Sequence, residues 1–360
     1  MPTEARFTRR ALLAATGAMV AARAQTELVI PPEFKRYADA ATESPVTRLT
    51  DPAHASLLPA WQSTATTRHG RTLLYSNDRT GRMQAYRMDL KTGESHQLTD
   101  GEAVRPSALT LLPDEKSFAC LAGRSLLVQQ LKPVRPREAY RVPADFEPTD
   151  AFSVSRDGAF AVLVEQRATS WRLRRVPLAR PGSVTTIAES PVELRDAMLR
   201  PGAEAVLYRV GASELHLSPS GRLLTSATGP AIWSPDGGSV LYLNVPADIR
   251  QPNTIPVFDL TAGKDSLVSN TSRFASFGRN ANATVFVGAS ASKASPAVLL
   301  LLRSVRRELT LCEHRASDAA LVTPRFTSDS QHILFQSDRS GKMAIYMVNV
   351  ERFVEETDDE

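Results

Sequence analysis

Short apolar runs recur along the chain, each just after a turn-forming phrase. The phrase has the form apolar–Ser/Thr–x–Asp–Gly–x–x–apolar–apolar–Tyr/Phe. It reads TRHGRTLLY around Gly70, LPDEKSFAC around Glu115, SRDGAFAVL around Gly158 and RPGAEAVLY around Ala203. It continues as SPDGGSVLY around Gly237, RNANATVFV around Asn282 and TSDSQHILF around Ser330. Asp-Gly makes a tight turn, because glycine tolerates positive φ and Asp or Asn caps the turn. The residues that follow are apolar and β-branched or aromatic, as in a buried strand. Successive anchors lie 45, 43, 45, 34, 45 and 48 residues apart. A period of about 40–45 residues with several short strands is that of a propeller blade. Helical periodicity is nearly absent. The expected fold class is all-β, a seven-bladed β-propeller.

Two units are written most fully, LLYSNDRTGRMQAYRMDL in the first blade and ILFQSDRSGKMAIYMVNV in the last. Each holds Asp-Arg-x-Gly, read as a hairpin turn in which Asp78 and Asp338 cap and Gly81 and Gly341 take the left-handed position. The first blade then supplies an outer strand, KTGESHQLTD. The last is followed instead by the acidic ERFVEETDDE, which cannot serve. A near-echo of the missing strand, SPVTRLTD, stands at residues 44–51. The ring is therefore expected to close by pairing an N-terminal strand with the last blade, which leaves no unpaired seam. This divides the chain into a targeting segment at 1–24, a lead-in segment at 25–43, the propeller at 44–350 and an acidic tail at 351–360.

Composition changes this picture little, but charge needs a correction. Residues 1–24 place Thr8-Arg9-Arg10 before the apolar run Ala11–Ala22, and Ala22-Arg23-Ala24 then offers small residues to a signal peptidase. The segment reads as an export signal cleaved after Ala24. It is of twin-arginine type, or a plain Sec signal whose arginines adjoin by chance. Removing its four arginines and one glutamate leaves 39 basic and 38 acidic residues. The formal +4 of the whole chain is thus mostly the signal's, and nucleic-acid binding gains no support. No other apolar run approaches the roughly 18 residues of a membrane-spanning helix. The expected location is periplasmic or secreted, as a monomer.

Candidate chemistry is sparse. Cys120 and Cys312 fall in different blades and read as buried small apolar residues, although an exported protein could oxidise them. The six histidines, His54, His69, His96, His216, His314 and His332, are scattered, with no two at ligand spacing. His69 in a turn and His96 in an outer strand read as surface residues. There is no G-x-S-x-G elbow, P-loop or G-x-G-x-x-G.

The repeat resembles the TolB-type (WD40-like) propeller repeat, best in WSPDGGSVLYL at 233–243 and SNDRTGRMQAYRMDL at 76–90. The two ends carry a narrower resemblance. IPPEFKRYADAATESPVTRLTD at 30–51 and TPRFTSDSQHILFQSDRSGKMAIYMVNV at 323–350 are similar to oligogalacturonate lyases. That resemblance implies a seven-bladed propeller that cleaves pectin fragments by β-elimination, using manganese held in the central channel by three histidines and a glutamine. This chain departs from the pattern. The glutamine position falls on Asp318 and two histidine positions on Leu321 and Thr323. The third falls near Arg273, and a family His-Arg pair near Leu57 and Leu58. Leucine offers a metal nothing, threonine only a weak oxygen, and arginine repels a cation. No cofactor is therefore expected and no catalytic base can be placed.

Arg273, Asp318 and Arg325 are the candidate ligand-binding residues. They point into or near the channel to hold an anionic sugar or peptide carboxylate, or they are rim charges in ordinary ion pairs. Three functions stay open: a non-catalytic binder of acidic oligosaccharide, an active lyase with a rearranged site, and a TolB-like scaffold that docks a periplasmic protein.

Overall fold

A computed structural model of the chain describes residues 28–132, 136–179 and 182–355. The targeting segment lies outside them. Among the described residues no helix is long and apolar enough to cross a membrane. Seven antiparallel sheets of four or five strands follow one another along the chain. Each opens on an inner strand and steps outward, as in Glu147–Val154, Phe160–Arg167, Ser170–Pro177 and Thr185–Ser190 of the third blade. The fold is the seven-bladed propeller the spacing predicts.

The phrase that marks each repeat is the turn between the inner strand and the next. Its left-handed residue is glycine at Gly70, Gly158, Gly202 and Gly237. In the other three blades the same conformation is forced on Glu115 (φ 53°), Ala283 (φ 60°) and Ser330 (φ 61°). Side chains in this region carry a steric cost that glycine avoids. The turn is therefore held by its surroundings. Asn280, for example, accepts from the Thr284 and Val285 amides through Oδ1 (3.0 and 3.1 Å). The short fourth interval reflects a blade with small links, since Glu214–Leu217 and Arg222–Ser226 follow Val206–Val210 almost at once.

Ring closure occurs where the echo predicts it. The Pro45–Arg48 strand pairs antiparallel with Ala344–Asn349, with Val46 opposite Val348 and Arg48 opposite Tyr346. Val46 is fully buried in the core shared by the sixth and seventh blades. The lead-in segment does more than expected. Lys35–Ala38 adds a fifth strand outside Pro45–Arg48, and Val29–Ile30 adds a fifth to the first blade. Between them Glu33 accepts the Asp51 amide (2.9 Å) and pairs with Arg79. One segment thus staples the first blade to the last.

Two local readings differ. Asp78 and Asp338 do not cap their own hairpins with their carboxylates. Asn77 Oδ1 and Ser337 Oγ accept the Arg79 and Arg339 amides instead. The aspartates reach back to the loop before their inner strand, accepting from the Ala55 amide (2.9 Å) and the Ser317 amide (2.8 Å). In the acidic tail, Glu351–Glu355 is a one-turn helix that buries Val354 at 8% exposure, because Phe353 and Val354 have an apolar core to meet. The rest of the tail lies outside the described residues. Cys120 and Cys312 are free and buried in the second and sixth blades.

Candidate functional site: the two ends of the central channel

Seven inner strands line the channel, so it has a loop end, where each strand begins, and a turn end, where it turns outward. The chemistry differs between them.

At the loop end stand the positions that the family resemblance singles out. Asp318 is exposed and caps a short 3-10 helix, Ala319–Leu321, by accepting the Ala320 amide (2.8 Å). Leu321 is half exposed. Thr323 adopts φ 41°, and its buried Oγ1 has no partner. Arg273 is exposed at φ 60°, held by its main chain to Thr271 O (2.9 Å). Gln336 fills the gap between strands: its Oε1 accepts the buried Leu58 amide (2.8 Å) and its Nε2 donates to Leu321 O (2.7 Å). Manganese would find one carboxylate already used as a cap, one hydroxyl, one leucine and a cation. That donor set does not fit a divalent metal. Among the described residues, no group of three or more His, Cys, Asp or Glu could hold one. His314 is buried nearby with both ring nitrogens engaged, Nδ1 by the Ala316 amide (3.0 Å) and Nε2 by Ser290 O (3.0 Å). Burial holds its pKa below the ordinary 6.5. It is a neutral structural group.

The turn end holds a cavity of about 460 Å³. Its walls come from distant parts of the chain: Trp61, Gln62 and Ser63 of the first blade, Arg156 of the third, Trp233 of the fifth, Arg279 of the sixth and Arg325 of the seventh. Three arginines line it and, among the described residues, no Asp or Glu does. Arg325 is 6% exposed, and its Nη2 donates to Ala60 O (2.6 Å) while Nη1 has no partner. Desolvation of a charge without a counter-ion lowers its pKa to about 10, so it stays protonated at neutral pH. Arg279 donates through Nε to Trp233 O (2.9 Å) and through Nη1 to Asn280 O (3.0 Å). Burial, and then repulsion from Arg156, lower its pKa too. Gln62 Nε2 donates to Phe152 O (2.9 Å), which leaves Oε1 buried and unpaired, as is Ser63 Oγ.

Of the three residues expected at the channel, Arg325 lines this cavity. Arg273 and Asp318 are not among its lining residues. Arg156, Arg279, Trp61, Trp233 and Gln62 were not singled out from the sequence. Arg156, Trp233 and Arg279 do carry a signal, since Trp233 and Arg279 lie just ahead of a repeat turn and Arg156 lies within one.

Comparison with known proteins agrees with this architecture. The family model described as oligogalacturonate lyase matches residues 25–177. The chain is 24% identical to the oligogalacturonate lyase of Dickeya dadantii (strain 3937), over 88% of this chain and 96% of that one. It is equally 24% identical to the oligogalacturonide lyase of Pectobacterium atrosepticum, over 89% of this chain and 97% of that one. Among solved structures, an oligogalacturonate lyase in complex with manganese superposes with a TM-score of 0.82 at 23% identity, covering 91% of this chain and 98% of that one. The chain is thus similar to oligogalacturonate lyases over nearly its whole length and shares their fold.

Proposed function

We propose that this chain is an oligogalacturonate-lyase-family propeller that has given up the manganese site and binds an acidic oligosaccharide in its channel. The observation that carries the reading is the cavity at the turn end, whose described lining residues include three arginines and no Asp or Glu. Three cations in a concave, partly desolvated wall attract an anion, and a guanidinium fork matches a carboxylate. The tryptophans beside them suit the apolar faces of sugar rings. The size falls within the usual range for small-molecule sites, roughly 300–1,000 Å³.

The loop end supports the other half of the reading. β-Elimination needs a base at the C5 proton and an electrophile for the enolate-like charge that develops. Leu321, Thr323 and Arg273 provide no metal-held electrophile there, so no lyase step is assigned. The targeting segment at 1–24 supports export to the periplasm or beyond.

Two measurements test this. Calorimetry with digalacturonate and trigalacturonate is expected to show binding that needs no manganese and weakens as salt rises. Ultraviolet absorbance of the unsaturated product, with manganese present, is expected to stay flat. A sustained rise restores the lyase. Absence of any sugar binding removes this reading in favour of a protein-docking scaffold. N-terminal sequencing of protein from a periplasmic fraction is expected to begin at Gln25.

A further inference from the structure

Three buried polar atoms without partners line the same cavity: Arg325 Nη1, Gln62 Oε1 and Ser63 Oγ. Buried polar groups are nearly always hydrogen-bonded, and an orphan in a fold costs free energy. Three orphans on residues that line one cavity point to a ligand that draws them in and satisfies them. Arg325 Nη2 is tied to Ala60 O, which sets the guanidinium against the chain segment that carries Gln62 and Ser63. Gln62 is fixed in turn by its bond to Phe152 O. The arrangement is therefore built before anything binds.

The chemistry of the three atoms narrows the ligand. Arg325 Nη1 is a charged donor and needs an anionic acceptor. Gln62 Oε1 is an acceptor only and needs a donor. Ser63 Oγ can act either way. A simple inorganic anion satisfies the arginine but offers the glutamine little. A neutral sugar satisfies the glutamine but leaves the buried cation uncompensated. A hydroxylated ring bearing a carboxylate satisfies both.

We propose that Arg325, Gln62 and Ser63 form a subsite for one uronate residue at the turn end of the channel. The sugar carboxylate lies on Arg325, its hydroxyls lie on Gln62 and Ser63, and its ring packs beside Trp61. The proposal rests on the reading of this channel as an acidic-sugar site and goes beyond it by placing the contact.

The experiment is calorimetry on the full-length mature protein with four probes: digalacturonate, its methyl ester, galactobiose and inorganic phosphate. The variants are Arg325→Met and Ser63→Ala. Wild type is expected to bind digalacturonate at least about 10-fold tighter than the other three probes, as the loss of one charge-assisted hydrogen bond implies. Arg325→Met is expected to lose about 10- to 100-fold in affinity for digalacturonate. Ser63→Ala is expected to lose about 2- to 10-fold with its thermal midpoint unchanged, because Oγ bonds to nothing in the fold. If wild type binds digalacturonate and both variants bind it equally well, the subsite is wrong while the sugar-binding reading stands. If phosphate competes as tightly as digalacturonate, the site is a plain anion site. If wild type binds no uronate, the parent reading has failed first.

Discussion

Replacing Arg325 with methionine is expected to leave the fold at least as stable as wild type, even though the side chain is 6% exposed and central. Methionine keeps the length of the unbranched stem, and so most of its packing. What it removes is a buried charge with no carboxylate beside it. Burial lowers the arginine pKa from its ordinary value to about 10, and with each unit corresponding to about 1.4 kcal/mol the charged form carries a penalty on the order of 3 kcal/mol. Against that relief stands the charge-assisted bond to Ala60 O at 2.6 Å, worth about 1.5–3 kcal/mol, although that carbonyl keeps the Ser63 amide as a second donor (2.8 Å). The balance lies between roughly neutral and about 2 kcal/mol in favour of the variant. Urea unfolding at pH 7 measures it, with exposed Arg273→Met as a control expected within about 0.5 kcal/mol of wild type. Digalacturonate at 100 times the wild-type dissociation constant should stabilise wild type by about 2.7 kcal/mol and the variant by only about 0.4–1.4 kcal/mol, given its roughly 10- to 100-fold weaker binding. A variant destabilised by more than about 2 kcal/mol would show that the guanidinium is a structural strut, and the reasoning from its unpaired Nη1 would fall.

Other outcomes follow from the same structure. Val46→Ala, fully buried on the closing strand, should lower stability by about 2 kcal/mol through lost transfer energy and a small cavity, whereas Val29→Ala, 45% exposed, should cost under about 0.5 kcal/mol; urea midpoints with unchanged m separate the two. Because burial holds the His314 pKa below 6.5, the unfolded chain takes up a proton first as pH falls. Its contribution to stability is full above pH 6.5 and is lost as pH drops toward the lowered value, by at most about 1.4 kcal/mol per pH unit; unfolding midpoints between pH 7.5 and 5.5, compared with His314→Gln, read this out. Cys120 is fully buried with its thiol pKa pushed up to about 12, and burial raises that of Cys312 too, so both should resist a thiol reagent in the native state and react in urea.

The repeat itself was legible because blade formation is local. A turn phrase followed by an apolar strand is decided within about ten residues, and seven copies at nearly constant spacing admit few folds. Closure was legible for a different reason: the last blade visibly lacks an outer strand, and SPVTRLTD can supply one. The lead-in segment was read too simply. Val29–Ile30 and Lys35–Ala38 become edge strands only because the first and last blades meet beside them, and no local signal reports that. Asp78 and Asp338 misled for a similar reason, since a turn signature does not say whether its carboxylate faces its own hairpin or the neighbouring loop.

By itself, then, the chain's pattern determined an all-β toroid, its number of blades and the strand that closes it. All of these are properties of short windows or of the spacing between them. Only the tertiary structure decided where the charge collects. Arg156, Arg279 and Arg325 stand 123 and 46 residues apart, on three different blades, and are ordinary surface-type residues when read singly. They line one cavity because each lies on an inner strand or just after one, and the ring brings the inner strands together around a single axis. The absence of Asp and Glu from the described lining of that space, on which the proposed anion site depends, arises only once the ring has closed.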